Sequence, residues 1–317
     1  MSLLWGLRSG QWWFALITAA VSVLPLMLRQ RMTAAPVNAE LVRDRVLING
    51  RRVTRNSRLW LPHWRAAVVQ QLRQQPQQAV RDGLHLEAAA REYVSNAGGF
   101  SVWFGVSGAQ HLAVDLEGSG PHTFVVGPTG TGKSQFLRLL VQSLSAAHSR
   151  AELEIAVLDF KGGALIKTLE PSNLVLAADD LDAPGVETFC DWISAQLIMR
   201  EQGFQNLAKV LVIVDEAGAA VRSNPRVSSV LVSLAARGRS LGMFLVIANQ
   251  GLSSVPRELL LNLRMRVALA GTDTVELVQL GGQAQKLTIT DKGWLKARLI
   301  SQSELDRDFE FPIMPSR

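Results

Sequence analysis

The chain has 317 residues, 48% of them hydrophobic and 19% charged, enough apolar material to bury a core and too little charge for a disordered chain. Its single cysteine, Cys190, excludes an intramolecular disulfide framework and any multi-cysteine zinc site, and the histidines at 63, 85, 111, 122 and 148 show no metal-ligand spacing. The net charge of +6 is uneven: residues 29–82 hold eleven arginines, no lysine and three acids, a local +8 that leaves about −2 for everything else.

Residues 12–28 form a run of seventeen without a charge. As a helix it spans about 25 Å, against a hydrocarbon core of about 30 Å. Gly10 and Gln11 extend it, Trp12 and Trp13 suit the interface, and Pro25 near its end is tolerated in lipid. Arg29 and Arg31 follow at once, against Arg8 alone on the other side. The positive-inside rule then puts the N-terminus outside and the bulk of the chain in the cytoplasm. Residues 1–31 are accordingly expected to be a single transmembrane anchor in the lipid bilayer of the plasma membrane. The competing readings are a cleaved signal peptide, whose apolar region is usually shorter, and an interfacial or buried helix.

Residues 32–99 read as an arginine-rich juxtamembrane linker or small subdomain. Within it, Asn49-Gly50 between apolar runs predicts a tight hairpin. Residues 63–82 are helix-like, glutamine-rich and interrupted by Pro76. A solvated basic segment facing anionic headgroups accounts for this stretch; the alternative is a nucleic-acid arm, for which only Trp60 and Trp64 offer stacking surfaces.

From residue 100 the texture changes. Short apolar runs at 102–106, 112–114, 123–126, 153–158, 174–176, 210–214, 243–248, 266–270 and 294–299 predict strands. Helical stretches at 133–146, 185–200 and 226–237 fall between several of them. Such alternation predicts an α/β domain over 100–317, with a mostly parallel sheet covered by helices on both faces.

The run 123–126 leads into Gly127-Pro128-Thr129-Gly130-Thr131-Gly132-Lys133-Ser134 and then a helix. This is G-x-x-x-x-G-K-[ST] in the strand–loop–helix setting of a P-loop. Its glycines let backbone N–H groups turn inward around a phosphate, and the helix N-terminus adds partial positive charge. Lys133 is placed to neutralise the β- and γ-phosphates of ATP, and the Ser134 hydroxyl to coordinate Mg²⁺. The blander reading is a glycine-rich turn before a helix.

Val210-Leu-Val-Ile-Val-Asp215-Glu216 supplies the second half of the site. Five apolar residues predict a buried strand with Asp215 at its carboxyl end, where α/β sheets bind ligands. Asp215 suits Mg²⁺, held through water, and Glu216 suits the orientation and deprotonation of an attacking water. An acidic pair capping the next helix is the simpler alternative. A metal-holding Asp followed by Glu points to ATP hydrolysis in the branch where an extra strand separates the two motif strands. Residues 243–250 are the candidate for it, with Gln250 at its end to sense the γ-phosphate or the water.

Taken together, residues 102–299 resemble the motor domain of the FtsK/SpoIIIE family of hexameric translocases. The resemblance rests on Gly120-Pro-His before the first motif strand, Val157-Leu-Asp-Phe-Lys-Gly-Gly-Ala164, the V-I-V-D-E of the second motif, Ala236-Arg-Gly-Arg-Ser-Leu-Gly-Met-Phe-Leu-Val-Ile-Ala-Asn-Gln250, and Asn262-Leu-Arg-Met-Arg-Val-Ala-Leu269. Two positions depart from the family pattern: Asn249-Gln-Gly-Leu stands for T-Q-R-P, and Phe244 for a common His. The Asp159-Phe-Lys-Gly-Gly-Ala version looks more like the type VII secretion branch (EssC/EccC), although that branch carries several motor domains in tandem and this sequence shows one P-loop.

The resemblance implies a RecA-like P-loop NTPase that assembles as a homo-hexamer and moves a polymer through its pore. Double-stranded DNA is the first expectation for the cargo, and exported proteins are the alternative. It also implies that Arg237 or Arg239 reaches a neighbour's ATP as an arginine finger. The competing reading makes them helix-end charges that offset the dipole. Asp159 and Lys161 are expected at a strand end facing the site, in support of it or in coupling to the pore. Cys190 reads as a small buried hydrophobe.

Overall fold

The computed structural model describes residues 100–313 apart from 109, 119, 170, 205, 285–286, 288–293 and 302–305, together with the strand segments 39–42, 45–48 and 51–52. The chain divides into two units, residues 1–75 and 76–317.

In the first unit, β1 (Ala39–Val42), β2 (Arg45–Ile48) and β3 (Arg51–Arg52) form an antiparallel sheet in the order β1-β2-β3. Ile48 pairs with Arg51, so the hairpin expected around Asn49-Gly50 is present, with its two turn residues outside the described set. The anchor expected at 1–31, and most of the linker expected at 32–99, lie outside the described residues. No helix among the described residues is long and apolar enough to cross a membrane.

The second unit carries a ten-stranded sheet in the order β5-β4-β13-β12-β11-β6-β10-β9-β7-β8. Its strands are β4 (Ser101–Ser107), β5 (Gln110–Asp115), β6 (His122–Val126), β7 (Leu153–Asp159), β8 (Leu174–Asp179), β9 (Lys209–Asp215), β10 (Met243–Asn249), β11 (Met265–Leu269), β12 (Trp294–Ser301) and β13 (Arg307–Pro312). From β11 to β8 all neighbours are parallel. From β11 outward the pairing is antiparallel, through β12, β13, β4 and β5. The sheet is therefore mixed, with a parallel block that carries the motif strands and an antiparallel wing. β13 went unread in the sequence. Its Asp-Phe-Glu-Phe alternation is that of a strand whose two faces meet different surroundings, and it is only six residues long.

The central strands read as unbroken apolar runs because both faces are covered. On β9, Leu211 and Ile213 point to one cluster, and Val210, Val212 and Val214 to the other. On the first face lies α1 (Lys133–Ala147), with Phe136, Leu137 and Leu140 buried. Phe136 meets Phe104 and Phe311 of the antiparallel wing edge-on, with ring centroids 5.1 and 5.2 Å apart. The second face carries α2 (Ala183–Glu201) and α4 (Pro225–Arg237), with α3 (Ala217–Ser223) before α4. Asp182 caps α2 and Asn224 caps α4, each accepting from a backbone N–H of its first turn. Two further short helices, α5 (Arg257–Asn262) and α6 (Thr274–Gln279), flank β11. Each fully buried Leu, Ile, Val or Phe contributes roughly 1.5–3 kcal/mol, so the two apolar layers dominate stability. Cys190 belongs to the second of these layers: it is fully buried, and burial pushes its thiol pKa up.

Register fixes what the carboxyl edge presents. Asn249 pairs with Val126, the last residue before the P-loop, and Asp159 pairs with Asp215. β10 lies between β6 and β9, so the expected extra strand does separate the two motif strands. The ends of β6, β10, β9 and β7 thus stand side by side.

Candidate functional site

Residues 127–132 turn directly from β6 into α1. At Gly132, φ is 103°, a left-handed conformation that glycine adopts without strain, and a Cβ would stand 2.4 Å from Leu295 Cδ1. The antiparallel wing thus presses on the loop at a point that admits no side chain. Arg298, buried on β12, pins that wing through Nε and Nη2 to the Asp308 carboxylate of β13 at 2.6 and 3.0 Å. At this same end the loop opens a fifteen-residue helix with no side-chain cap and no acid in its first turn. Such an N-terminus favours an anion.

Lys133 is 3% exposed, and its Nζ donates to the carbonyls of Gly127 at 2.6 Å and Pro128 at 3.0 Å. Its own loop thus holds the ammonium in place. Burial first, and then the charge of Lys161, lower its pKa, while Glu216 and Asp215 act the other way. Thr131 Oγ1 donates to the Pro128 carbonyl at 2.8 Å and braces the same turn.

The Ser134 hydroxyl donates to Asp215 Oδ2 at 3.0 Å. Two residues 81 positions apart are thereby brought into the pairing that a Walker A serine and a Walker B carboxylate require. Asp215 is fully buried, and desolvation pushes its pKa up, a shift that the Ser134 hydrogen bond opposes. Such a carboxylate gains most from a cation. Hydroxyl and carboxylate oxygens are the hard donors Mg²⁺ takes, and the ion commonly completes its shell with phosphate and water. The donor set fits Mg²⁺.

Glu216 follows in a left-handed backbone conformation, φ 56°, ψ 51°. For a side-chain-bearing residue that costs about 1–2 kcal/mol, so the surroundings must impose it. Its N–H donates to Asp215 Oδ1 at 3.0 Å, and its carbonyl accepts from Ala219 at 2.9 Å. Its Oε2 is buried and has no hydrogen-bond partner among the described residues. A strained backbone that aims an unsatisfied carboxylate oxygen beside the P-loop is the mark of a functional position.

Asp159, also fully buried, spends its oxygens on its own loop, accepting from the N–H groups of Lys161 (2.9 Å), Leu165 (2.6 Å) and Ile166 (3.4 Å). It shapes the 160–166 turn, from which the Lys161 charge acts on both Lys133 and Asp215. Gln250 is exposed at the end of β10.

Arg237 and Arg239 are not brought to this edge. Arg237 ends α4 and pairs with Glu201 at 2.5 Å, and Arg239 Nη2 lies 3.5 Å from the Gly118 carbonyl. Gly118 precedes β6 and the 3₁₀ turn 238–241 precedes β10, so both arginines sit at the amino edge, a strand's length from the P-loop. Within one chain they behave as helix-end and surface charges.

Asn249, noted in the sequence only as a departure from the family pattern, proves to be buried and fully bonded between β10 and α3. An amide ending a strand between two motif strands was the available signal.

Comparisons with known proteins agree with this geometry. Residues 86–220 match the model of the FtsK/SpoIIIE family, a stretch that contains both the P-loop and Asp215-Glu216. ESX-4 secretion system protein EccC4 of Mycobacterium tuberculosis is 30% identical over 161 residues, 43% of this chain and 13% of that protein. The first curated relatives matched, all ESX secretion proteins, are aligned over only 12–13% of their length. Among solved structures, the cytoplasmic domain of the Thermomonospora curvata type VII secretion ATPase EccC superposes with a TM-score of 0.60 at 23% identity, over 67% of this chain and 28% of that one. The pCW3 conjugation coupling protein TcpA, solved with ATPγS, does so with a TM-score of 0.54 at 20% identity, over 68% of this chain and 66% of that one. Over residues 86–220, less than half of its length, the chain is similar to the FtsK/SpoIIIE family of P-loop ATPases.

Proposed function

We propose that this chain hydrolyses ATP at the carboxyl edge of its sheet and couples the reaction to protein export in the manner of a type VII secretion ATPase. The observation that carries the chemistry is the Ser134–Asp215 hydrogen bond, with the buried Lys133 and the unpartnered Oε2 of the adjacent Glu216. Bound Mg·ATP supplies the phosphoanhydride bond and the cation that offsets charge on its phosphates. The backbone of Gly127, Pro128, Thr129, Gly130, Thr131 and Gly132 cradles those phosphates, and Lys133 faces the β- and γ-oxygens. Ser134 and Asp215 are the residues that would hold Mg²⁺. Glu216 orients a water and takes its proton as the water oxygen bonds to the γ-phosphorus and the bond from that phosphorus to the β–γ bridging oxygen breaks, giving ADP and phosphate. Gln250 lies within the same loop cluster to sense the γ-phosphate. Arg237 or Arg239 serves the site of a neighbouring copy in a hexameric ring.

The cargo assignment is supported by the relatives, whose names are those of ESX secretion proteins. Double-stranded DNA, the first expectation from the motifs, has the conjugation coupling protein on its side, a likeness of fold. Residues 1–31 anchor the protein in the plasma membrane, which places the ATPase domain in the cytoplasm. Deleting them should move the protein to the soluble fraction; persistence on membranes after a high-salt wash would place the anchor elsewhere.

Turnover measured with and without linear double-stranded DNA tests the cargo, together with in-cell photo-crosslinking of the Glu216→Gln protein. The export reading predicts no DNA stimulation and crosslinks to other polypeptides. A tenfold or greater rise with DNA, with nuclease-sensitive crosslinks, would replace it by DNA translocation.

A further inference from the structure

Asn249 closes β10 between the strand that leads into the P-loop and the strand that ends in Asp215. It is 1% exposed, and its whole carboxamide is engaged. Oδ1 accepts from the Gly218 N–H at 3.0 Å, while Nδ2 donates to the Gly251 carbonyl at 2.5 Å and to Ser254 Oγ at 2.7 Å. One side chain therefore ties the first turn of α3 to the 250–254 loop.

Gly218 stands two residues after Glu216, so the Oδ1 bond anchors the turn that the left-handed Glu216 backbone opens. The fit at Gly218 is close: a Cβ there would stand 2.2 Å from Ser254 Oγ and 2.9 Å from Asn249 Oδ1. The Gly251 bond spans Gln250 and closes the turn that presents it. Nothing in this arrangement leaves the carboxamide a hydrogen to offer a phosphate.

We propose that Asn249 is a positioning residue for the hydrolytic step, setting Glu216 through Gly218 and Gln250 through Gly251 so that the two move as one unit. This rests on the ATPase reading above. A base held an ångström away from its working place costs on the order of 100-fold in rate, whereas nucleotide affinity, set by the P-loop, is untouched.

The test is a kcat-against-KM split in ATP turnover. Asn249→Leu keeps the branched shape of the side chain and removes every side-chain hydrogen bond; kcat should fall by about 10- to 100-fold, with KM for ATP within about threefold of wild type. Asn249→Asp keeps the acceptor for Gly218 and should recover part of the loss. Gly218→Ala attacks the same tie from the helix side and should show the same split, which covers the case in which Asn249→Leu does not fold. Wild-type and Glu216→Gln proteins run alongside. A wild type without Glu216-dependent turnover overturns the functional reading itself. Glu216-dependent turnover that a folded Asn249→Leu or Gly218→Ala leaves intact, or a loss confined to KM, overturns the positioning role alone.

Discussion

The two edges of the parallel block are built in opposite ways. At the carboxyl edge Lys133, Asp159 and Asp215 are buried, each in a hydrogen-bond scheme that fixes its geometry. At the amino edge Arg237 and Arg239 are exposed, and the ion pair of Arg237 with Glu201 has side chains 48% and 39% accessible. Buried charge is expensive and is kept where chemistry needs it, whereas an exposed pair contributes little to stability. One chain thus gathers the residues proposed for hydrolysis at one edge and carries its candidate arginine finger at the other. β6 alone, five residues long, separates the edges by about 17 Å. Whatever these arginines do to a nucleotide, they do in another copy.

The largest expected effect breaks that comparison directly. Replacing Arg237 and Arg239 together by Ala should lower turnover by on the order of 10³-fold or more while ATP binding persists, as for other arginine fingers. Mixing that double variant with Lys133→Ala subunits should restore part of the activity, because an intact P-loop then meets an intact finger. Turnover that is unchanged in the double variant, and independent of protein concentration, would leave both arginines as surface charges.

A pH titration of stability sharpens the amino edge. His122, the first residue of β6, is buried there, and its Nδ1 accepts from the Leu245 N–H at 3.1 Å. Burial is the main cause that lowers its pKa from 6.5 to about 4, with the Arg239 charge adding to it. Between those values the unfolded chain takes up a proton that the folded chain refuses. The stability owed to neutral His122 is therefore complete above pH 6.5, falls as the pH drops towards 4, and changes no further below it. The full loss is about 3 kcal/mol. Chemical denaturation at pH 7 and pH 4.5 should show most of it, and His122→Gln should flatten the difference.

A smaller effect belongs to the carboxyl edge. Gly132→Ala meets both a left-handed backbone and Leu295, which together cost about 2 kcal/mol. Thermal unfolding should detect that loss, and nucleotide affinity should fall with it because the loop must shift.

How much of this was legible in the sequence depended on range. The P-loop is local: six loop residues, a lysine and a serine carry their own geometry, and 243–248 announced β10 by an unbroken apolar run. The short helices α3, α5 and α6 have six or seven residues each, too few to display a helical period. Asn249 acts across 31 residues to Gly218, a contact that only strand order creates. Arg237 and Arg239 lie on the expected segment, but which edge they occupy depends on the direction of β10 beside β6. Asp159 does end β7 beside Asp215, as expected; that its carboxylate is engaged by the N–H groups of its own loop was not legible, since a buried carboxylate takes the nearest backbone donors.

The proposed chemistry requires that Lys133 and Glu216 divide nucleotide binding from hydrolysis at a single site. Nucleotide retained after incubation with Mg·ATP and rapid gel filtration tests it most directly. The Glu216→Gln protein should retain uncleaved ATP, with turnover down by about 10²–10⁴-fold, and the Lys133→Ala protein should retain little nucleotide and turn over none. A Lys133→Ala protein with wild-type turnover, or a Glu216→Gln protein that releases ADP at the wild-type rate, would contradict it.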